Sequence, residues 1–202
     1  GLNQVNAMGK QAEEAFENFV SSRKVTNTEL ASDAYCRLGD CQYLKKNFAK
    51  AKECYEKAYN ANSNEGAYAL YQKALMQGYL NEKEGKIKTL ENVLEQYPSA
   101  SIIPSVLLEQ SECYVELGKY NQAIATYRQL VQNYPSTSQG RNGGLQLAIA
   151  YLNNGEKEKA MEVKEKVALI ASEIPDLEER EIELGTKIKE KMMMIPNIIA
   201  DD

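Results

Sequence analysis

The stretch "YNQAIATYRQLVQNYP", Tyr120 to Pro135, decides the fold because the chain contains it nearly twice. The earlier version is "EGKIKTLENVLEQYP", Glu84 to Pro98, and the two Tyr-Pro pairs lie 37 residues apart. In both versions apolar residues recur at steps of three and four, which is the period of one face of an α-helix. Two copies at a fixed spacing indicate an internal repeat.

Other features recur with the same spacing. Gly118 and Gly155 also lie 37 residues apart, and each stands before a new stretch of apolar residues with helical spacing. Upstream, "DAYCRLGDCQYLKKNFAKAKECYEKAY" (33–59) has the same pattern, with Lys46 and Asn47 in the turn. Each unit is therefore predicted to be a helix, a short turn and a second helix.

Small residues recur at one position of the second helix of the first, third and fourth units. A small residue that faces a large one lets two antiparallel helices approach closely, while the large side chain fills the neighbouring groove. The pairs are Ala51 with Tyr55, Ala123 with Tyr127, and Ala160 with Lys164. This pattern predicts an all-α chain of closely packed helical hairpins.

The pattern resembles the tetratricopeptide repeat, a helical hairpin of about 34 residues. In the first unit the matching residues are Tyr35, Leu38, Gly39, Phe48, Ala51, Tyr55 and Ala58; in the second, Lys86 replaces the usual Ala. The resemblance implies a right-handed superhelical solenoid of antiparallel helix pairs, with about ten helices in a single domain. We predict units at 32–66, 67–103, 104–140 and 141–175.

Both ends of the chain are predicted to be helical. Residues 3–22 place apolar side chains on one helical stripe, so this helix is either an N-terminal cap or a half repeat from a longer array. Residues 176–195 follow Pro175 and begin with acids, as helices often do. Their apolar rhythm predicts a helix that caps the last hydrophobic face of the solenoid.

The second and third units end in "YPSASIIP" and "YPSTSQGR". Pro98 and Pro135 should stop the second helix, because Pro lacks a backbone donor and disfavours helical geometry in the residue before it. Long units with Tyr-Pro-Ser endings resemble a subset of repeat proteins of the bacterial envelope. The resemblance implies a periplasmic or envelope location and leaves the cytoplasm open.

Composition argues against several classes of function. The net charge of −5 and the interleaving of basic with acidic residues argue against nucleic-acid binding. No apolar run approaches the roughly 20 residues that a transmembrane helix needs. The chain has no His, and its four Cys show no metal-ligand spacing, so we predict no enzyme, no metal site and no cofactor. The adjacent glycines in "RNGGLQ" lack the spacing of a phosphate-binding loop.

The resemblance also implies a binding surface. In this family the first helix of each hairpin lines the concave side of the superhelix, and its outward residues contact a ligand. By alignment, the candidate binding residues are Asp33, Arg37, Asp40, Tyr43, Tyr68, Tyr71, Gln72, Tyr79, Glu109, Glu112, Glu116, Asn142 and Gln146. The same helices present the apolar residues Leu75, Leu108, Leu145 and Ile149.

The chemistry of these positions predicts the kind of partner. Chaperone-binding members of the family hold a C-terminal carboxylate with Lys and Asn, whereas this chain offers Asp, Tyr and Glu. We therefore expect an interaction scaffold that binds a protein or peptide segment with basic residues and an apolar anchor. A structural segment of a longer array, a self-associating subunit, and glycan binding by the tyrosines are alternatives. Some of Tyr68, Tyr71 and Tyr79 could simply pack between hairpins.

Overall fold

The computed structural model describes residues 2–21, 28–62, 64, 66–169 and 186, and these contain helices and no strand. The helices are α1 (Leu2–Ser21), α2 (Thr28–Leu44), α3 (Phe48–Ala61), α4 (Ala67–Tyr79), α5 (Lys83–Gln96), α6 (Ile103–Glu116), α7 (Tyr120–Asn133), α8 (Ser138–Asn153) and α9 (157–169). The predicted all-α solenoid is confirmed.

The helices form hairpins that stack in sequence order. From α1 to α8 each helix packs against the next one in the chain, and α6 also contacts α8 directly. We call α2–α3, α4–α5, α6–α7 and α8–α9 units 1 to 4. We call the first helices of the units (α2, α4, α6, α8) the inner row and the second helices the outer row, after the arrangement that the repeat predicts.

In units 1 and 3 close contact between small and large residues holds the hairpins together, as predicted; in unit 4 Ala160 is buried but Lys164 is exposed, so the third predicted pair is wrong. Ala51 and Ala123 are 0% exposed, and the large partners Tyr55 and Tyr127 are also buried. In unit 1 the ring of Tyr55 lies so close to the inner helix that a Cβ at Gly39 would be 2.6 Å from its Cε1 atom. A larger residue at either small position would therefore push the two helices apart.

The four hairpin turns have the same backbone geometry. Their left-handed residues are Lys46 (φ 60°), Asn81 (φ 59°), Gly118 (φ 69°) and Gly155 (φ 81°). In each turn the next amide donates to the carbonyl five residues earlier, at 2.8–2.9 Å, as in a Schellman motif. Glycine fills the left-handed position in units 3 and 4, and Lys or Asn fills it in units 1 and 2.

This difference predicts two opposite effects on stability. Lys46→Gly should raise the free energy of unfolding by roughly 1 kcal/mol, because the exposed Lys46 has a β-carbon that disfavours positive φ. Gly118→Ala should lower it by a similar amount; a Cβ there would meet nothing within 4 Å, so the effect comes from the backbone alone. Urea denaturation checks both. A less stable Lys46→Gly variant together with an unchanged Gly118→Ala variant would contradict the turn assignment.

The Tyr-Pro pairs end the outer helices of units 2 and 3, as predicted. α5 ends at Gln96 and α7 at Asn133, and the following Tyr97 and Tyr134 leave helical geometry. Both tyrosine rings then pack against one core cluster, which includes Leu90, Leu107 and Leu130. Each Tyr-Pro pair thus ends a helix, and its tyrosine anchors the segment between two units to the core.

The N-terminal segment is helical, and Glu13 of α1 bonds to Gln42 and Lys45 near the end of α2. The helix predicted for 176–195 lies outside the described residues, except for Thr186, which is helical. Within the described part of the chain, no helix is both long enough and apolar enough to cross a membrane.

Candidate functional site on the inner row

We call the outward side of α2, α4, α6 and α8 the inner-row face. All the candidate binding residues lie on these four helices, and none of them is fully buried. The exposed ones are Asp33, Arg37, Tyr43, Tyr68, Tyr79, Glu116 and Asn142; the half-buried ones are Asp40, Tyr71, Gln72, Glu109, Glu112 and Gln146. Neighbouring inner helices bring several of them into direct contact.

At the unit 1 end, Asp40 is the centre of a polar cluster. The hydroxyl of Tyr55 donates to Asp40 Oδ1 at 2.7 Å, and that of Tyr68 donates to the same atom at 3.3 Å. Arg37 lies 3.6 Å from the other Asp40 oxygen and 3.4 Å from Asp33. Burial, followed by the charge of Asp40, raises the pKa of the Cys36 thiol to about 11. The charge of Asp40 is therefore already compensated within the chain.

An aromatic cluster lies where α2 and α4 end. The rings of Phe48 and Tyr79 stack with centroids 4.5 Å apart, and Tyr43 tilts against Tyr79 at 5.8 Å. The hydroxyls of Tyr43 and Tyr79 lie 3.3 Å apart. Tyr79 is nevertheless 55% exposed, and the neighbouring Leu44 is also exposed. This cluster presents an apolar patch at the edge of the inner-row face.

Tyr68, Tyr71 and Tyr79 do not form one flat platform. No ring contact joins these three tyrosines in the described structure. Tyr71 packs against the core cluster that contains Leu107, and burial, followed by the charge of Glu109, raises its pKa to about 12. Tyr68 bonds to Asp40. Stacking on a sugar ring would have to rely on single tyrosines here.

The acidic residues of α6 are partly neutralised by lysines of α5. Lys86 Nζ lies 2.6 Å from Glu109, and Lys83 Nζ lies 3.0 Å from Glu116. The stem of Lys86 runs beside Gly78, where a Cβ would lie 3.4 Å from its Cδ atom. Lys86, which departs from the family's usual Ala, therefore fits because Gly78 leaves room and Glu109 compensates its charge.

Glu112 differs from the other two acids of α6. It is half-buried and forms no ion pair or hydrogen bond within the described residues. Burial, followed by the negative charge of Glu109, raises the pKa of its carboxyl group; Lys86 lowers it in part, and Glu116 raises it further. A cation placed here would relieve the repulsion.

Hollows lie between neighbouring inner helices. One of about 270 Å³ is bounded by α4, the start of α5, and α6, with Tyr79, Lys83 and Glu116 on its walls. Another of about 380 Å³ lies between α2 and α4, beside Arg37 and Tyr68. The inner-row face is thus a series of small polar depressions flanked by rings, and not a deep pocket.

The unit 4 end of the face is apolar. Leu145 is 54% exposed, and Ile149 and Leu152 lie on the same side of α8 and are also exposed. Glycines bring α8 close to its neighbours: a Cβ at Gly143 would lie 2.7 Å from Leu130 Cδ2, and one at Gly144 would lie 2.9 Å from Val167 Cγ2. The glycines of "RNGGLQ" therefore have a packing role.

One hollow that the sequence did not predict lies at the unit 4 end of the chain. It measures about 440 Å³ and lies between α7, α8 and α9, with Leu147 and Val163 among its apolar walls. Arg128, Lys159 and Lys166 surround it, and Lys159 Nζ lies 5.7 Å from the centre of the Tyr151 ring. These residues lie on three different helices, so the hollow exists only because the helices pack together, and helical periodicity alone could not predict it.

The described part of the chain contains no group of three or more Cys, Asp or Glu residues arranged to hold a metal ion. Its four cysteines are free, and burial raises the pKa of every thiol. Thiols with raised pKa values are poor nucleophiles near neutral pH.

Comparison with known proteins identifies the repeat. The tetratricopeptide repeat family matches residues 32–65, 68–100 and 105–137. No curated protein matches the sequence. Similarity to solved structures is extensive, but identities are low enough that it shows the fold alone.

Three solved structures illustrate the similarity. MamA has a TM-score of 0.70 and 14% identity, over 86% of this chain and 94% of that one. BtubC (BKLC) from P. vanneervenii has a TM-score of 0.71 and 16% identity, over 86% and 77%. YrrB, described as a TPR protein with an unusual peptide-binding site, has a TM-score of 0.61 and 18% identity, over 82% and 80%.

The stacked hairpins and the inner-row face define a helical-repeat protein of the kind that serves as a scaffold for protein interactions. The chain is a tetratricopeptide-repeat protein. Repeats of this family are typically non-catalytic interaction modules.

Proposed function

We propose that the chain is a non-enzymatic scaffold whose inner-row face binds an extended or helical segment of another protein. The observation that supports this most is a change of chemistry along one continuous row of helices. Exposed rings at the ends of α2 and α4 are followed by the acids of α6 and then by the exposed aliphatic side chains of α8. Such a face suits a segment with apolar anchors on either side of a basic residue.

The internal ion pairs limit how basic the partner has to be. Arg37 compensates Asp33 and Asp40, and two lysines of α5 compensate Glu109 and Glu116. The partner therefore needs few cations and relies on apolar contacts for much of its affinity. The peptide-binding site described for YrrB shows that a protein of this fold can bind a peptide.

The proposal is tested with peptides selected from a random phage-displayed library against the immobilised chain. Gln72→Lys and Asn142→Lys should each weaken binding of the selected peptides by about tenfold, because a lysine on the inner-row face repels a basic segment and obstructs the groove. Neither side chain forms a described hydrogen bond or ion pair that the change would break. Fluorescence polarisation with labelled peptide measures the affinity.

Matched controls lie on the outer row. Ala125→Lys and Gln129→Lys add the same charge to exposed positions of α7 and should leave the affinity unchanged. If the control variants weaken binding and the inner-row variants do not, the binding surface has been placed on the wrong helices. Light scattering at the same protein concentration separates peptide binding from self-association.

An envelope role is a narrower part of the proposal. It is supported by the resemblance of the Tyr-Pro-Ser endings at 97–99 and 134–136 to those of bacterial envelope repeat proteins. Fractionation of cells that express the tagged full-length gene product tests it. Recovery with periplasmic or membrane markers supports the role, and recovery with cytoplasmic markers alone contradicts it.

A further inference from the structure

Units 1 and 3 place an acid and a tyrosine at equivalent positions. Asp40 of α2 and Tyr55 of α3 are 15 residues apart, as are Glu112 of α6 and Tyr127 of α7. In unit 2 the corresponding residues are Leu75 and Leu90, so the acid is not a requirement of the repeat. The chain therefore contains the same acid–tyrosine pair twice, once in unit 1 and once in unit 3, and the surroundings of the two pairs can be compared.

In unit 1 the arrangement includes its own cation. Asp40 accepts hydrogen bonds from Tyr55 and Tyr68, and the guanidinium of Arg37 lies 3.6 Å from its second oxygen. Arg37 stands three residues before Asp40, so both lie on the same side of α2. The half-buried carboxylate of Asp40, a tyrosine hydroxyl and the guanidinium of Arg37 thus form a cluster in which the negative charge is compensated.

In unit 3 the residue three positions before the acid is Glu109, which repels Glu112 where Arg37 attracts Asp40. The nearby lysine, Lys86, is bonded to Glu109 at 2.6 Å. Asn142, which corresponds to Tyr68, forms no described bond to Glu112. Glu112 thus has no ion-pair partner of its own among the described residues, and the only cation that lowers its pKa, Lys86, is bonded to Glu109.

The tyrosine of unit 3 provides a second, independent observation. Tyr127 is only 1% exposed, yet its hydroxyl forms no hydrogen bond with any described residue. Glu112 and Tyr127 share the register of Asp40 and Tyr55 and lie on the packed helices α6 and α7. Burial, followed by the charge of Glu112, raises the pKa of the Tyr127 hydroxyl. Its counterpart Tyr55 donates to Asp40 at 2.7 Å. The ring of Tyr127 is buried and its hydroxyl has no protein partner, yet no fully buried polar side-chain atom of the described residues lacks one. The hydroxyl therefore keeps a small contact with solvent, which a ligand can replace.

We propose that Glu112 and Tyr127 form a subsite for one arginine or lysine side chain of the bound segment, which takes the role that Arg37 has in unit 1. This inference rests on the proposed function, because the cation arrives on a segment bound along the inner-row face. Glu109 and Glu116 flank Glu112 on α6 but are paired with Lys86 and Lys83, so Glu112 is the acid of this group without an ion pair.

Arginine suits the subsite better than lysine. Its planar guanidinium can donate two hydrogen bonds to one carboxylate and still lie against an aromatic ring. Glu112 is already partly desolvated in the free protein, so less hydration is lost when the cation binds. The preference follows the pairing of Arg37 with Asp40 and Asp33 in unit 1.

The test is a double-mutant cycle with the peptides selected against the inner-row face. Each basic residue of a peptide is replaced in turn by citrulline, which keeps the shape of arginine but has no charge. On the unmodified chain one such change should weaken binding by about tenfold. On the Glu112→Gln variant the same change should have less than about a twofold effect. Glu95→Gln, an exposed acid of α5, is the control and should preserve the full effect.

Three outcomes separate this inference from the proposed function. Coupling between one basic residue and Glu112 supports the subsite. Peptides that bind the inner-row face with no coupling to Glu112, or with no basic residue, overturn the subsite and leave the proposed function standing. Failure to obtain any peptide that Gln72→Lys or Asn142→Lys weakens contradicts both.

The melting temperature of the Glu112→Gln variant distinguishes a binding role of Glu112 from a structural role, because the two roles predict opposite changes. If Glu112 served the fold, its removal would lower the melting temperature. A binding role predicts a melting temperature equal to or above that of the unmodified chain, since the substitution removes a desolvated charge from between Glu109 and Glu116. A clear loss of stability would overturn the assignment of Glu112 as a binding residue.

Discussion

Substituting Ala123 by Leu should lower the free energy of unfolding by about 2–3 kcal/mol, because it inserts extra carbon atoms into a packed helix contact. Ala123 is 0% exposed and belongs to a core cluster with Tyr127 of its own helix and Leu147 and Tyr151 of α8. Because the cluster around it includes residues of α8, the added atoms should push α7 and α8 apart. Thermal and urea denaturation followed by circular dichroism measure the loss.

Two further substitutions make this result specific to packing. Ala125→Leu adds the same atoms to an exposed position on α7 and should change stability by less than about 0.5 kcal/mol. Ala123→Ser adds little volume and should be tolerated far better than Leu. An Ala123→Leu protein as stable as the parent would mean that the two helices are not packed in this register.

Substituting Gly140 by Ala should cost a similar amount, roughly 2–3 kcal/mol, by a different mechanism. A Cβ at Gly140 would lie 1.9 Å from the carbonyl oxygen of Tyr134, and a backbone atom cannot rotate away as a side chain can. The same carbonyl accepts the hydroxyl of Thr137, which in turn accepts the Gly140 amide and caps α8. The substitution therefore disturbs both the linker between units 3 and 4 and the start of α8.

The effect of Gly140→Ala should be local. In a solenoid each unit contacts only its neighbours, so hydrogen exchange should accelerate in α8 and α9 more than in α2 to α5. Asn142→Ala, an exposed change in the same helical turn, is the control and should leave exchange unchanged. Uniform acceleration along the whole chain would show that the units unfold together, and an unchanged protein would show that the linker has another conformation.

Much of the fold could be predicted from the sequence because its determinants are local. The small-to-large spacing of Ala51 and Tyr55 specifies how two helices pack, and Pro98 and Pro135 specify where helices end. The turn at Lys46 was predicted from its place between two apolar-periodic stretches. Its positive φ could be recognised only by comparison with Gly118, because a lysine gives no sign of left-handed geometry.

The charge of the candidate site was harder to predict because it depends on contacts between units. Lys86 looked like a defect in the repeat, yet it compensates Glu109, which is 23 residues away on the next helix. The acids of α6 therefore attract a partner less strongly than their number suggests. Glu112 stands out only when these ion pairs are known.

The tyrosines show the same limit. Sequence places Tyr68, Tyr71 and Tyr79 on one face of α4, but side-chain rotation and neighbouring helices decide what each one does. Tyr71 turns toward the core, Tyr68 bonds to Asp40, and Tyr79 stacks on Phe48. Helical spacing predicts which residues lie on the same face of a helix. The side chains that each residue contacts depend on how the neighbouring unit is oriented against that helix.

Photo-crosslinking tests most directly whether a partner segment lies along the inner row with its cation at α6. A selected peptide with a diazirine side chain next to its arginine would be irradiated with the chain, and the adducts located by mass spectrometry. We expect adducts on α4 and α6, near Tyr71 and Glu112. Adducts confined to the outer row, on α5 or α7, with α4 and α6 unmodified, would contradict binding of the segment along the inner row.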